Sequence, residues 1–143
     1  MSTEDNKALV RRFYEEVINK KKTAAIDEFI DPNQVDHAAP PGIPGGIEGA
    51  KQTITMYLAA FPDLHFTVED MIAEGDKVVA RITARGTHQG TFMSIPPTGK
   101  QVTVTAIEII RIAGSKFVEH WMELDALGLL QQLGAVPAPG QAN

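Results

Sequence analysis

Apolar residues in the first part of the chain recur at helical spacing. Leu9, Val10, Phe13, Val17 and Ile18 are separated by charged residues, which predicts an amphipathic helix over 4–20. Ser2 or Thr3 can cap it, Glu4 and Asp5 suit the positive end of the helix dipole, and Lys20-Lys21-Lys22 closes it. That lysine run reads as a solvated C-terminal cap rather than an anion site. A shorter helix is expected around 23–29, closed by Asp31-Pro32. Helical spacing resumes through Ile47, Ile54, Tyr57, Leu58 and Phe61, and Pro62-Asp63 stops that helix. Between these two, Pro40 to Gly46 holds three prolines and three glycines in seven residues, which forbids helix and strand alike. The loop that begins at Asp36-His37 therefore has the length of a functional loop. It is not read as a linker, because no second domain's worth of sequence precedes it.

From Leu64 the period changes to two. Leu64, Phe66 and Val68 alternate with His65, Thr67 and Glu69, and a turn follows at Glu74-Gly75-Asp76. Strands are expected over 64–72, 77–88, 101–112 and 116–124, the last two joined by Ala113-Gly114-Ser115. Asp125 opens a last short helix, 126–133, stopped by Gly134, and the tail from Val136 reads as frayed. Helices first and an antiparallel meander afterwards define an α+β fold, with helices on one face of a curved sheet. Both parities of 102–112 are rich in β-branched and apolar residues, so both faces of that strand need covering, and a homodimer through the outer face is expected.

Composition narrows the class. The 143 residues are one domain's worth of protein, with an ordered core expected over about 4–134. An apolar fraction of 43% and a charged fraction of 22% are globular values. With no cysteine, disulfides, thiolate chemistry and sulfur-based zinc sites are excluded. A net charge of −5 has the wrong sign for a nucleic-acid surface. No apolar run approaches the ~18 residues of a membrane span, and the polar, acidic N-terminus lacks the features of a signal peptide. A cytoplasmic protein is expected.

Candidate chemistry rests on carboxylates and imidazoles. The four histidines, at 37, 65, 88 and 120, lack the short ligand spacings of a metal site, so no metal is expected. Gly45-Gly46 follows prolines rather than a strand, which removes a dinucleotide or phosphate loop, and no Gly-x-Ser-x-Gly elbow exists. In 119–125 strand parity sets Glu119, Trp121, Glu123 and Asp125 on one face and His120, Met122 and Leu124 on the other. The first face is either solvated or lines a cavity that wants an indole beside a carboxylate. Asp125 is either a helix N-cap or an acid/base, and one carboxylate can combine both duties. Glu108, alone in an apolar run, lies on the wet face or is buried with a raised pKa. His88 suits a rim or loop hydrogen bond, and His65 the surface. Phe13, Tyr57 and Phe92 are core residues by default, some of which must also line any cavity.

Several segments together resemble the SnoaL-like polyketide cyclases. They are Ala60-Phe61-Pro62-Asp63-Leu64, Glu74-Gly75-Asp76, Gly86-Thr87-His88-Gln89-Gly90, Pro97-Thr98-Gly99-Lys100, Glu119-His120-Trp121 and the run from Asp125 to Gly134. The resemblance implies the nuclear-transport-factor-two-like fold, a curved sheet around a deep pocket closed by helices. It also implies a cofactor-free intramolecular aldol condensation with an acid/base aspartate at the start of the C-terminal segment, where Asp125 stands. The family's penultimate long strand carries a histidine facing that aspartate. Here Thr103–Arg111 holds none, and Glu108 is its only carboxylate. Asp125 and Glu108 are thus the expected catalytic pair. His37, His88, Trp121 and Glu123 are expected to meet a small apolar carbonyl compound, with Phe13, Tyr57, Phe61 and Phe92 as the apolar walls. A plain binding protein, or an isomerase, dehydratase or hydrolase, remains open on the same scaffold.

Overall fold

The computed structural model describes residues 1–137 and 140; the rest of the expected frayed tail, 138–139 and 141–143, lies outside the described residues. Five strands form one sheet in the order β1-β5-β4-β3-β2. Four of them are the expected meander: β2 (His65–Glu74), β3 (Lys77–Thr87), β4 (Gln101–Ala113) and β5 (Lys116–Leu124), paired antiparallel in sequence. Along β4 burial alternates strictly, with Val102, Val104, Ala106, Glu108, Ile110 and Ile112 inward. The inner face is therefore set by the period-two pattern, and Glu108 sits on it.

The edge strand β1 (Ile30–Asp36) differs from the sequence pattern, in which Asp31-Pro32 closes a helix and Asp36 begins a loop. It runs parallel to β5, with Val35 opposite Glu119 and Asp36 opposite His120, and its register is interrupted between Ile30 and Val35. Pro32 falls in that interruption, and an edge strand can carry a proline because one side of its backbone has no partner.

The first expected helix is present in two parts. An α-helix, α1 (Thr3–Phe13), is capped by Ser2, whose hydroxyl accepts from Asp5 N while the Asp5 carboxylate accepts from Ser2 N. It continues as a π-helical turn over Tyr14–Asn19, closed by Lys20 N donating to Glu15 O. Contacts distant in sequence hold the turn. Asn19 pairs through its amide with both backbone groups of Phe66, and the Lys21 ammonium reaches the carbonyls of Ile18, Asn19 and Leu64. A 3₁₀ turn and the short α2 (Ile26–Phe29) follow.

The long helix α3 (Gly46–Ala60) lies across β1, and α4 (Ala126–Leu133) closes on β4. At Gly49 a Cβ would stand 1.8 Å from the Pro44 carbonyl oxygen, so only glycine lets the proline-rich loop fold back onto the start of α3. The core fills the space between the inner sheet face and the helices. Tyr14, Phe29, Phe117, Ile26 and Ile82 are its largest fully enclosed side chains.

Candidate functional site

The inner face of the sheet and α3 enclose a cavity of about 140 Å³ whose walls are predominantly apolar. Phe13, Tyr57 and Phe61 line it, as expected of them. Phe92 does not: it is buried behind the wall, its ring 5.7 Å from that of Tyr57 and 5.5 Å from that of Phe61.

Asp36 of β1, Glu108 of β4 and His120 of β5 line this cavity. Parity on β5 turns His120, Met122 and Leu124 inward, opposite Ile110, Glu108 and Ala106 of β4. His120 Nδ1 lies 2.9 Å from Asp36 Oδ1 and His120 Nε2 lies 2.8 Å from Glu108 Oε1. The second oxygen of Glu108 accepts from the Tyr14 hydroxyl. The result is a continuous chain, Asp36–His120–Glu108–Tyr14, drawn from β1, β5, β4 and the π-helical turn.

Burial works against charge on His120, but the hydrogen bonds and charges of Asp36 and Glu108 outweigh it and hold the imidazolium's pKa at about 10. Asp36 is pulled below the ordinary aspartate value because the His120 hydrogen bond and charge overcome its own burial. Burial, and then the neighbouring charge of Glu108, pushes the Tyr14 phenol well up. At neutral pH the imidazole of His120 is therefore protonated between Asp36 and Glu108, with a neutral Tyr14 phenol at one end of the chain. Among the described residues no three His, Asp or Glu side chains are grouped to hold a metal ion.

Of the expected catalytic pair the structure brings Glu108 to the cavity and leaves Asp125 outside it. Asp125 is exposed and its carboxylate accepts from Gly128 N at 2.9 Å, capping α4. The strand ends at Leu124, so residue 125 has left the alternation that would have aimed it. Glu119, Trp121 and Glu123 are on the outer face with Ile107 and Ile109 of β4. His37 lies there too, stacked on Trp121 at 4.8 Å with Nε2 2.7 Å from Glu119 Oε2, while Glu119 also takes Arg111. His37, Trp121 and Glu123 therefore stand away from the cavity. His88 is fully enclosed beside Phe61, its Nδ1 accepting from Thr98 N at 3.2 Å, which makes it an anchor of the 88–100 loop.

Sequence reasoning missed Tyr14, Asp36 and His120. For His120 the signal was present: once Glu108 is taken as inward, the partner strand's inward parity is the one that holds His120. Asp36 required the edge strand, and Tyr14 required the π-helical turn.

A curved five-stranded sheet closed by helices over a cavity places the chain in the nuclear-transport-factor-two-like fold class. The family model for SnoaL-like polyketide cyclases matches residues 8–133, and the chain belongs to that family. Aklanonic acid methyl ester cyclase DnrD of Streptomyces peucetius is 30% identical over 131 residues, 88% of each chain. Nogalonic acid methyl ester cyclase of Streptomyces nogalater is 30% identical over 118 residues, covering 81% of this chain and 88% of that one. Among solved structures, TsrD from Streptomyces laurentii superposes with a TM-score of 0.86 at 32% identity, covering 95% of this chain and 99% of its own. The protein is a polyketide cyclase-like enzyme. No helix among the described residues is long and apolar enough to cross a membrane.

Proposed function

We propose that the cavity closes a ring in a neutral polyketide ester by intramolecular aldol condensation, with Glu108 and His120 as the proton-transfer pair. The observation that carries this reading is the buried Asp36–His120–Glu108–Tyr14 chain in an otherwise apolar cavity. Glu108 takes a proton from a carbon flanked by carbonyls. The electron pair moves into the enolate, which attacks a second carbonyl of the same molecule to form the new carbon–carbon bond. His120 then protonates the resulting alkoxide and recovers its proton from Glu108, so the cycle is redox-neutral and proton-balanced. Asp36 holds the imidazolium in place, and Tyr14 orients the Glu108 carboxylate. Such positioned acid/base groups contribute about 10²–10⁴-fold in rate, and confinement of a flexible chain in ring-closing geometry contributes further. Asp125 has the helix-capping role in this scheme.

Aklanonic and nogalonic acid methyl esters, named in the relatives, are the compounds to assay first. Glu108→Gln should keep the fold and abolish most turnover. Wild-type turnover in that variant would reject the reading.

The outer sheet face supports a second proposal, a homodimer. Ile107 is 48%, Val35 52% and Ile72 61% exposed on that face. Arg81 and Glu123 flank Ile107 in register, so two copies related by a two-fold axis can set Arg81 of one against Glu123 of the other. A solution mass of 15.5 kDa at millimolar concentration would contradict it.

A further inference from the structure

The lining of the cavity carries polar groups that the Asp36–His120–Glu108–Tyr14 chain does not use, among them Thr53, Tyr57 and Gln34. Thr53 and Tyr57, four residues apart on α3, share the helix face that lines the cavity, and Gln34 lines it from β1 with Asp36. The Thr53 hydroxyl is buried with no hydrogen-bond partner among the described residues. Gln34 is 5% exposed. Burial, and then the charges of Asp36 and Glu108, raises the Tyr57 phenol, so it stays protonated and stands within electrostatic reach of both carboxylates. A buried polar group without a partner costs about 1–3 kcal/mol, and folded proteins hold few of them. Such an atom in the lining of an apolar cavity, with Tyr57 one turn further along the same helix, provides for a ligand with oxygen atoms of its own.

The charge balance says what Tyr57 is for. When a carbonyl compound gives up its proton to Glu108, negative charge collects on the carbonyl oxygen inside a predominantly apolar cavity that also holds Asp36. Both nitrogens of His120 are engaged by carboxylates, and the Tyr14 hydroxyl is committed to Glu108. None of these donors is free at the moment of deprotonation. Of the cavity's other donors, Tyr57 is the one whose phenol feels the charges of both Asp36 and Glu108.

We propose that the Tyr57 hydroxyl donates a hydrogen bond to the enolate oxygen as it forms, and that Thr53 and Gln34 bind further oxygens of the same neutral substrate. This rests on the reading of Glu108 as the base. The proton passes from carbon to Glu108, the carbon–hydrogen electron pair ends on the oxygen that Tyr57 meets, and no bond to Tyr57 is made or broken. Preorganised donors aimed at developing charge are a large part of such catalysis.

The test needs no substrate. A series of ring-substituted 2-naphthols of graded acidity mimics the enolate, and binding is followed by fluorescence titration against wild type, Tyr57→Phe and Thr53→Val. Wild-type affinity should rise with naphthol acidity. Tyr57→Phe, which keeps the ring and its packing, should bind the most acidic members about tenfold more weakly and lose most of that dependence. Thr53→Val should lower affinity evenly across the series and keep the dependence. Unchanged affinity and slope in Tyr57→Phe, or no saturable binding to wild type, would overturn the proposal. Glu108→Gln in the same titration should still bind naphthols, so failure of the base assignment registers in its turnover and failure of the Tyr57 assignment registers in the slope.

Discussion

Strand β5 contributes to a histidine–carboxylate pair on each face of the sheet, with Glu108 of β4 inside and His37, just past β1, outside, and the pairs differ in almost everything except length. Inside, His120 lies 2.8 Å from Glu108; outside, His37 lies 2.7 Å from Glu119. The inner glutamate is 7% exposed and its histidine is pinned on its other side by Asp36. The outer pair is open to water, with Arg111 as a competing partner and Trp121 as a stacking surface. Hydrogen-bond distance therefore carries little information about chemistry. Desolvation and the third partner decide whether a pair is a reactive element or surface decoration.

Breaking the inner pair should have the largest effect. His120→Leu leaves Asp36 and Glu108 buried without their shared cation, which should cost about 3–5 kcal/mol of stability and remove turnover. The milder Glu108→Gln should lower turnover by about 10²–10⁴-fold with the fold retained. On the outer face His37→Leu should leave Tm and turnover unchanged. Denaturant unfolding and turnover on the three variants check this together.

The pH dependence sharpens the same contrast. Folding raises His120 from 6.5 to about 10, so the folded state binds that proton more tightly. The stabilisation is complete below pH 6.5 and is lost as pH climbs from there towards 10. Asp36 has the opposite sign: its lowered pKa contributes above its ordinary value of 3.8 and is lost as pH falls below that. Wild type should therefore lose stability between pH 6.5 and 10 relative to His120→Gln, by unfolding midpoints measured across that range. Parallel curves would show that the imidazolium is not held by the two carboxylates.

Ile107→Glu probes the outer face alone. A charge in the middle of the apolar row should abolish the proposed self-association while leaving turnover intact, and light scattering with a turnover assay reads both. Loss of turnover together with loss of the dimer would mean that the two faces communicate through the sheet.

What the residues revealed in advance follows from how local each signal is. The meander was legible because alternation on β4 extends over its whole length, and it carried Glu108 to the correct face. For Asp125 both the family position and the parity of 119–125 point to the site, but the strand ends one residue before it, so the alternation does not reach it. The edge strand β1 was illegible because Pro32 and Asn33 contradict a strand locally, and its pairing with β5 joins residues more than eighty positions apart. The π-helical turn depends on Asn19 meeting Phe66 across 47 positions, which no local pattern contains. His120 is different: its parity on β5 is otherwise apolar, Met122 and Leu124, and only the inward position of Glu108 on the partner strand marks it as the cavity face.

The smallest expected effect belongs to Asp125, and it decides between a cap and a catalyst. Its carboxylate accepts from Gly128 N, and α4 in turn packs Leu129 and Leu133 into the core beside β4. Asparagine preserves both the size and the acceptor oxygen of an N-cap, so Asp125→Asn should change stability by no more than about 0.5 kcal/mol, whereas Asp125→Ala should cost about 1 kcal/mol. Neither substitution should alter turnover, because the side chain is exposed and faces away from the groups that hold the proton. Thermal unfolding and turnover of both variants, measured side by side, make the distinction. A loss of turnover in Asp125→Asn at unchanged Tm would place a proton-transferring group outside the cavity described above and would restore Asp125 as the acid/base.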